Sequence, residues 1–386
     1  QSAILIFTLG WGFCAFATSL PALVISRIVQ AVGGSMMVPV VRLAILYAYP
    51  KKELLKVINF ITIPGLIGPL LGPSLGGVLV ETLSWHWIFL VNIPFGIIAL
   101  WMTTFAIPDY KHPVFKFDIK GLILFSGGIT VLTLVMELTS SRVINSTTIL
   151  LLLIVSVFLI FLYIYHAKRK SHPLIDLNLF KIRTLKIGII GNLITRLGIG
   201  GMPFLIPLLL QVGYGYSATI AGLIMIPSAA SNIFAKSFAV PIVNKFGYRD
   251  TLIGNTLILG ILICLFYFLK SEAPIYYILP LLVVHGFFSS IQFTAMNTLS
   301  LADLDDKTSS EGNSLLSVTQ QLSLTFGISM AALILGIFRE ATVLTNGVEV
   351  QAFRYSFLAL GFLTILSTYI FFQLKDTDGQ AMAGRK

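Results

Sequence analysis

The chain has 386 residues, of which 56% are hydrophobic and only 11% are charged, and its mean hydropathy is +0.92. Soluble domains carry about 25% charged residues, and no single water-facing core could bury this much apolar surface. The composition therefore excludes a soluble globular protein and predicts an integral membrane protein. The net charge of +10 would also suit a nucleic-acid-binding protein, so its distribution along the chain has to be considered.

The start of the sequence does not have the pattern of a signal peptide. The chain begins with Gln1 and becomes apolar by Ile4, with no positively charged stretch and no small-residue cleavage site before it. A signal peptide is therefore not indicated. We expect the chain to be a fragment that begins just before, or inside, a membrane helix of a longer protein.

Apolar stretches of membrane-spanning length recur along the whole chain. The bilayer core, about 30 Å thick, needs roughly 20 apolar residues per helix, and this rule predicts about 12 transmembrane helices. In chain order they are 4–19, 22–49, 55–82, 87–107, 120–138, 149–166, 185–212, 218–245, 251–269, 276–302, 313–338 and 353–374.

The Lys and Arg residues are divided unequally between alternate loops. Of the 26, 18 lie in one set of loops and the C-terminus, and four lie in the opposite set. The remaining four are Arg27, Arg42, Arg196 and Lys236, within predicted helices. Because cytoplasmic loops are the ones rich in Lys and Arg, we expect both ends of the chain to be cytoplasmic. This topology accounts for the positive charge without a nucleic-acid partner.

The predicted helix 55–82 combines a glycine stripe with prolines. The glycines are Gly68, Gly72 and Gly76, and the prolines are Pro64, Pro69 and Pro73. Glycines four residues apart share one helix face and let a neighbouring backbone approach closely, whereas the prolines should kink the helix. A generic packing face would explain the glycines alone, but the combination is much rarer.

Residues 68–77, GPLLGPSLGG, resemble the pattern GxxxGPxxGG in the fifth helix of drug:proton antiporters of the major facilitator superfamily. Residues 27–34, RIVQAVGG, are similar to the fourth-helix pattern RxxQGxG, with Ala31 where glycine is usual. Residues 84–96, SWHWIFLVNIPFG, resemble the WRWIFLINVPIG stretch of the EmrB/QacA-type branch, with His86 in place of the common arginine. Residues 296–299 and 312–323 also look like that branch, so the resemblance extends over essentially the whole chain.

The resemblance implies an all-α, major facilitator-type helical bundle in a bacterial cytoplasmic (inner) membrane. The branch is expected to have about 14 helices, of which this chain would lack the first two. Residues 1–107 would then be the remainder of the N-terminal bundle, with the third to sixth helices. Residues 108–166 would hold two linker helices, 167–183 a basic cytoplasmic connection, and 184–386 the C-terminal six-helix bundle.

The function implied by the resemblance is export of hydrophobic or cationic small molecules in exchange for protons by alternating access. The expected partners are the lipid bilayer, the small-molecule substrate and protons, with a monomeric transporter that can work with envelope adaptor proteins. Uptake of a metabolite by the same fold is the alternative. A membrane enzyme is disfavoured because the five histidines lack metal spacing and no catalytic constellation is visible. No cofactor or metal is expected.

Charged residues inside predicted helices are functional candidates, because each costs about 2.5–3.5 kcal/mol at a helix centre. Arg27 shares a helix face with Gln30, three residues on, and the resemblance links this arginine to proton transfer. Its alternative is snorkelling to the outer interface. Arg196 lies well inside its helix, whereas Arg42 and Lys236 lie nearer cytoplasmic ends, where we expect snorkelling.

Two groups of site residues are therefore predicted. The proton-coupling or gating group is Arg27, Gln30, Gly68, Gly72, Pro73, Gly76 and Gly77. The candidate substrate-cavity group is Asn192, Arg196, Gln211, Gln292, Asn297 and Gln320, and Asn232 and Gln321 are further neutral polar residues at candidate cavity positions. Interhelical hydrogen bonding is the alternative for each neutral residue. No Asp or Glu lies deep in a predicted helix. The resemblance implies that an acidic residue of the first helix, which this chain would lack, helps to bind the proton.

Overall fold

The computed structural model resolves two compact units that consist of helices. The residues that it describes are 1–50, 53–54, 56–58, 60–61, 68, 72, 75–76, 78–80, 82–106, 118–141, 145–171, 173–269, 275–305 and 308–383. One unit comprises Gln1–Ala48 and Leu71–Val114, and the other comprises Tyr49–Leu70 and Phe115–Lys386. All regular secondary structure within the described ranges is helical.

Nine helical segments in the described part of the chain are long and apolar enough to cross a membrane. They are Leu20–Val41, Trp87–Phe105, Ile119–Met136, Thr147–Ala167, Arg183–Gly213, Thr219–Phe268, Ile275–Leu301, Ser309–Glu340 and Glu349–Phe371. A further apolar helix, Ser2–Ala15, is shorter. The prediction of an all-α, multi-pass membrane protein is confirmed.

The first unit contains four described helices: α1 (Ser2–Ala15), α2 (Leu20–Ala48), α3 (Trp87–Leu90) and α4 (Asn92–Ala106). Small residues bring these helices together. Gly10 of α1 faces the main chain of Gln30 on α2, Gly33 of α2 faces the main chain of Phe7, and Gly96 of α4 faces the Thr8 side chain. Close contacts at small residues are the usual way in which membrane helices pack, because in lipid there is no hydrophobic driving force for helix association.

After residues 49–70, the second unit continues with a helical hairpin. Its helices are α5 (Ile119–Ser141) and α6 (Ser146–Ala167), at the positions predicted for the two linker helices. Eight further α-helices follow. They are α7 (Arg183–Ile199), α8 (Met202–Leu208), α9 (Ala218–Leu265), α10 (Ile275–Leu301), α11 (Ser309–Glu340), α12 (Thr342–Thr345), α13 (Glu349–Phe371) and α14 (Gln380–Ala383). Helix α7 packs against α10, α11 and α13, and α9 packs against α10 and α13.

The segment α9 consists of two helices that meet at a kink. At Gly247 the backbone has φ 82° and ψ 171°, which is not helical and which glycine adopts without a steric penalty. The 48 residues of α9 would extend about 70 Å as one helix, far more than one crossing needs. The break lies where the sequence predicts a loop between helices 218–245 and 251–269. The count of 12 helices stays a prediction, because most of 55–82 lies outside the described residues.

Asp118, just before α5, anchors the linker hairpin to the chain that follows it. The Asp118 side chain is buried, and its Oδ1 lies 2.7 Å from Lys170 Nζ and 2.9 Å from His166 Nε2. The backbone N–H groups of Gly121 and Leu174 donate to it over 3.0 and 3.1 Å. Burial alone would raise the pKa of this carboxyl, but the hydrogen bonds from Lys170, His166, Gly121 and Leu174 hold that pKa well below its usual range.

Replacing Asp118 by Asn should destabilise the protein by about 2–3 kcal/mol at pH 7, because a hydrogen bond to a charged group contributes about this much. The ionised carboxyl stabilises the fold above its unfolded-state pKa of about 3.9, and this contribution is lost as the pH falls further. The difference in unfolding midpoint between wild type and Asp118→Asn in detergent should therefore be largest at pH 7 and only partly reduced at about pH 3, because the pKa of the folded-state carboxyl is lower still.

Asp176→Asn is the matched control, because Asp176 accepts an exposed hydrogen bond from the backbone N–H of Asn178 at the start of a short 3₁₀ turn. Its unfolding midpoint should stay close to that of the wild type at both pH values. An unchanged midpoint in Asp118→Asn at pH 7 would contradict the anchoring role of Asp118.

Candidate functional site

The first candidate site is the pair Arg27 and Gln30 on α2. Arg27 Nη1 donates a hydrogen bond of 2.9 Å to Gln30 Oε1, and the Arg27 guanidinium lies 4.8 Å from the centre of the Phe89 ring. Gln30 is buried, and the Cys14 Sγ lies 3.9 Å from the same Oε1. The structure thus brings together the two residues that the sequence places on one helix face. No carboxylate in the described part of the chain forms an ion pair with Arg27.

Within the described residues, the glycine stripe of the predicted gating group does not show the expected close packing. Gly68, Gly72 and Gly76 are helical, but a Cβ atom added at any of them would meet no heavy atom of the described chain within 4 Å. Pro73 and Gly77, like Pro64 and Pro69, lie outside the described residues. A gating role for this segment stays a prediction.

The second candidate site is a cavity of about 160 Å³ within the second unit. Its polar lining comes from three helices: Arg196 of α7, Ser228 and Asn232 of α9, and His285 and Ser289 of α10. We call it the α7–α11 cavity, since Leu324 of α11 closes one side.

Helix periodicity and one glycine explain how this cavity forms. His285, Ser289 and Phe293 follow one another at four-residue spacing, so they share one face of α10, as Ser228 and Asn232 share one face of α9. Gly286 lies against the Ser228 carbonyl and leaves no room for a side chain. The close approach of α9 and α10 there sets these polar faces beside each other.

Arg196 gives the cavity its only formal charge among the described lining residues. Its guanidinium lies 4.2 Å from the centre of the Phe293 ring, a cation–π distance. His285 and Ser289 are buried, with 6% and 4% of their surface exposed. Within the described residues, His285 Nε2 and Ser289 Oγ have no hydrogen-bond partner. Such orphaned groups are uncommon in folded proteins and require an explanation.

Lys236 lies one helical turn beyond Asn232, and its position corrects an expectation. Only 6% of Lys236 is exposed, and its Nζ donates a hydrogen bond of 2.8 Å to Thr294 Oγ1 of α10. The prediction that Lys236 snorkels to the interface is therefore wrong, because a hydroxyl acceptor inside the bundle holds the ammonium group. The side chain of Arg42 lies outside the described part of the structure.

Of the six residues predicted for the substrate cavity, Arg196 lines it. Asn232, a further neutral polar residue at a candidate cavity position, lines it as well. Gln292 instead donates to Thr256 Oγ1 over 2.7 Å and accepts from Asn255 Nδ2 over 2.8 Å. This network links α9 to α10.

The remaining predicted cavity residues also lie outside this lining. Gln320 Nε2 donates to Asn297 Oδ1 over 2.6 Å and so joins α11 to α10. Asn192 donates to the carbonyl of Gly188 in its own helix over 3.0 Å. Gln211 is exposed, in a π-helical turn after α8. Gln292, Gln320 and Asn297 therefore have the alternative role, interhelical hydrogen bonding, in this structure.

The sequence alone does not predict three of the polar cavity residues, Ser228, His285 and Ser289. The histidines lack metal spacing, and serine is common in membrane helices. The one available signal was the four-residue spacing of His285 and Ser289, together with Gly286 beside them.

Comparisons with known proteins identify the family. The sequence profile of the Major Facilitator Superfamily matches residues 2–180 and 188–383. A protein of Escherichia coli O8 (strain IAI1) that bears the name of a multidrug resistance protein, MdtD, is 41% identical over 99% of this chain and 81% of its own length. Its counterpart in Shigella sonnei (strain Ss046) is 41% identical with the same coverage.

Solved structures agree on the fold. The human organic anion transporter MFSD10 has a TM-score of 0.66 and 14% identity, over 96% of this chain and 75% of that one. The proton:xylose symporter XylE, bound to 6-bromo-6-deoxy-D-glucose, has a TM-score of 0.58 and 17% identity, over 98% and 80%. At these identities the likeness shows the fold alone. Together with the family profile and the MdtD relatives, these findings show that the chain belongs to the Major Facilitator Superfamily and is a multi-pass membrane transporter similar to MdtD.

Proposed function

We propose that the protein that contains this chain exports small hydrophobic molecules of several kinds, in exchange for protons, by alternating access. The observation that carries the proposal is the 41% identity, over 99% of the chain, to relatives named as multidrug resistance proteins. The α7–α11 cavity supports it, because an apolar pocket with a few converging polar groups is the usual form of a small-molecule site.

The Arg27–Gln30 pair supports the proton-coupled part of the proposal. A buried amide that accepts from a guanidinium fixes the position of the positive charge on α2. A fixed positive charge lowers the pKa of a nearby carboxyl group, and a change in its distance from that carboxyl would therefore release or bind a proton. The partner carboxylate is proposed to lie in a helix that precedes this chain.

The cell location and the partners belong to the same proposal. We place the protein in the bacterial cytoplasmic membrane with both ends of this chain in the cytoplasm, from the 18-to-4 division of Lys and Arg between the loops. It acts on small molecules within the lipid bilayer, as a monomer that can work with envelope adaptor proteins. The division into residues 1–107, 108–166, 167–183 and 184–386 is also proposed.

Export is tested with the complete protein in a bacterial strain that lacks its main efflux pumps. Expression should lower the steady-state accumulation of several hydrophobic dyes several-fold, and a protonophore should remove the difference. The empty vector is the control. Unchanged accumulation across a broad panel of dyes would contradict export, and a proton-dependent rise in accumulation would favour uptake by the same fold.

A further inference from the structure

We propose that the α7–α11 cavity binds small amphiphilic organic acids, with the carboxylate of the ligand beside Arg196 and its apolar body in the rest of the cavity. The inference rests on the proposed transport of small molecules and names the substrate class for this cavity. The sequence resemblance implied hydrophobic or cationic substrates, so the cavity changes the expected charge of the ligand.

The first argument is the charge of the cavity. Arg196 contributes a permanent positive charge, and none of the described residues that line the cavity is acidic. A second buried cation, Lys236, lies one turn from Asn232 on the same helix. Because charges interact more strongly in a medium of low dielectric than in water, a cationic ligand would be repelled here and an anionic ligand attracted.

The second argument is the presence of unused hydrogen-bonding groups. His285 Nε2 and Ser289 Oγ are buried without a partner in the described structure, and leaving such groups unpaired lowers stability. A serine hydroxyl donates to a carboxylate oxygen, and the imidazole of His285 can donate through its N–H. The two residues lie one turn apart on the face of α10 that carries Phe293, so they can act on one ligand group.

The third argument is the size and the apolar part of the lining. Ile199, Met202, Ile206, Met225 and Leu324 complete the cavity, and methionine adapts readily to ligands of different shape. A cavity of about 150 Å³ lined by apolar residues can hold benzene, so the 160 Å³ found here suits an aromatic ring that carries one small polar group.

The test uses three probes of nearly the same shape: benzoate, benzamide and benzamidinium, which are anionic, neutral and cationic. Binding to the purified complete protein in detergent is measured by calorimetry at pH 7. The wild type should bind benzoate at least tenfold more tightly than benzamidinium. Arg196→Met should lower the benzoate affinity at least tenfold and change the benzamide affinity by less than about threefold.

Arg339→Met is the matched control, because Arg339 forms an exposed ion pair of 2.9 Å with Glu349 and does not line the cavity. It should bind benzoate as the wild type does. If Arg196→Met does not fold, Ser289→Ala serves instead, and it should lower benzoate affinity severalfold while benzamidinium binding stays unchanged.

Benzamidinium bound as tightly as benzoate by the wild type would overturn the proposal. Unchanged benzoate affinity in a folded Arg196→Met variant would also overturn the proposal. The same holds for Ser289→Ala if that variant is used in place of Arg196→Met. The binding assay is independent of transport. Selective benzoate binding without dye export would therefore refute the proposed function alone, and dye export without selective benzoate binding would refute this inference alone.

Discussion

Replacement of Arg27 by Ala or by Lys should lower the rate of proton-coupled transport by the complete protein at least about tenfold and leave its amount in the membrane unchanged. Ala removes the charge. Lys keeps the charge but lacks the planar guanidinium that donates to Gln30 Oε1 and lies over Phe89. A loss of transport in both variants would show that the position of the charge matters as well as its sign.

The measurement is proton movement driven by substrate in vesicles that contain the purified protein, followed with a pH-sensitive dye. Gln30→Ala should reproduce part of the loss, because Arg27 keeps its charge but loses its 2.9 Å acceptor. Arg339→Ala is the control, since exposed ion pairs contribute little to stability and Arg339 is paired with Glu349 at the surface. Normal transport in Arg27→Ala or in Arg27→Lys would refute the coupling role.

Features set by local periodicity could be predicted from the sequence. The helices follow from the length and hydropathy of each apolar run, and the proximity of Arg27 to Gln30 follows from three-residue spacing on a helix. The loop between predicted helices 218–245 and 251–269 corresponds to the non-helical backbone of Gly247. Each of these features depends on residues close together in the chain.

Features set by the meeting of distant helices could not be predicted in the same way. Whether Gln292 faces a cavity or a neighbouring helix depends on Asn255 and Thr256, more than 30 residues away. Lys236 is near the end of its predicted helix, which favours snorkelling, yet Thr294 on α10 supplies an acceptor inside the bundle. A single sequence shows which side chains are polar, but not which helix faces meet.

The same distinction explains why the α7–α11 cavity was found only in the structure. Arg196 was singled out because a charge within a membrane helix is costly wherever the helix packs. His285 and Ser289 carry no charge that would mark them, and their significance comes from Gly286, which brings α10 against Ser228 of α9. The cavity thus depends on how the helices pack, which the sequence does not show. Its charge comes from Arg196, which the sequence does show.

Gly10→Ala should lower transport severalfold, whereas Gly12→Ala, in the same helix, should leave it unchanged. A Cβ atom at Gly10 would lie 2.5 Å from Gln30 Cα and 2.7 Å from Gln30 N, so α2 would have to move away at the residue that holds Arg27. At Gly12 no described heavy atom lies within 4 Å of such a Cβ atom. Overpacking of this kind costs about 1–3 kcal/mol.

The comparison isolates the helix contact, because both substitutions bring the same gain in helix propensity, about 1 kcal/mol for Gly to Ala. Gly254→Ala on α9, also with no described heavy atom within 4 Å, is a second control. Transport rates and unfolding midpoints of the three variants are measured together. If Gly10→Ala loses transport while Gly12→Ala and Gly254→Ala keep it, the loss arises at the contact between Gly10 and Gln30. Wild-type transport in Gly10→Ala would show that the position of Gln30 relative to α1 does not control coupling. The Arg27–Gln30 pair would then act without any contribution from its contact with α1.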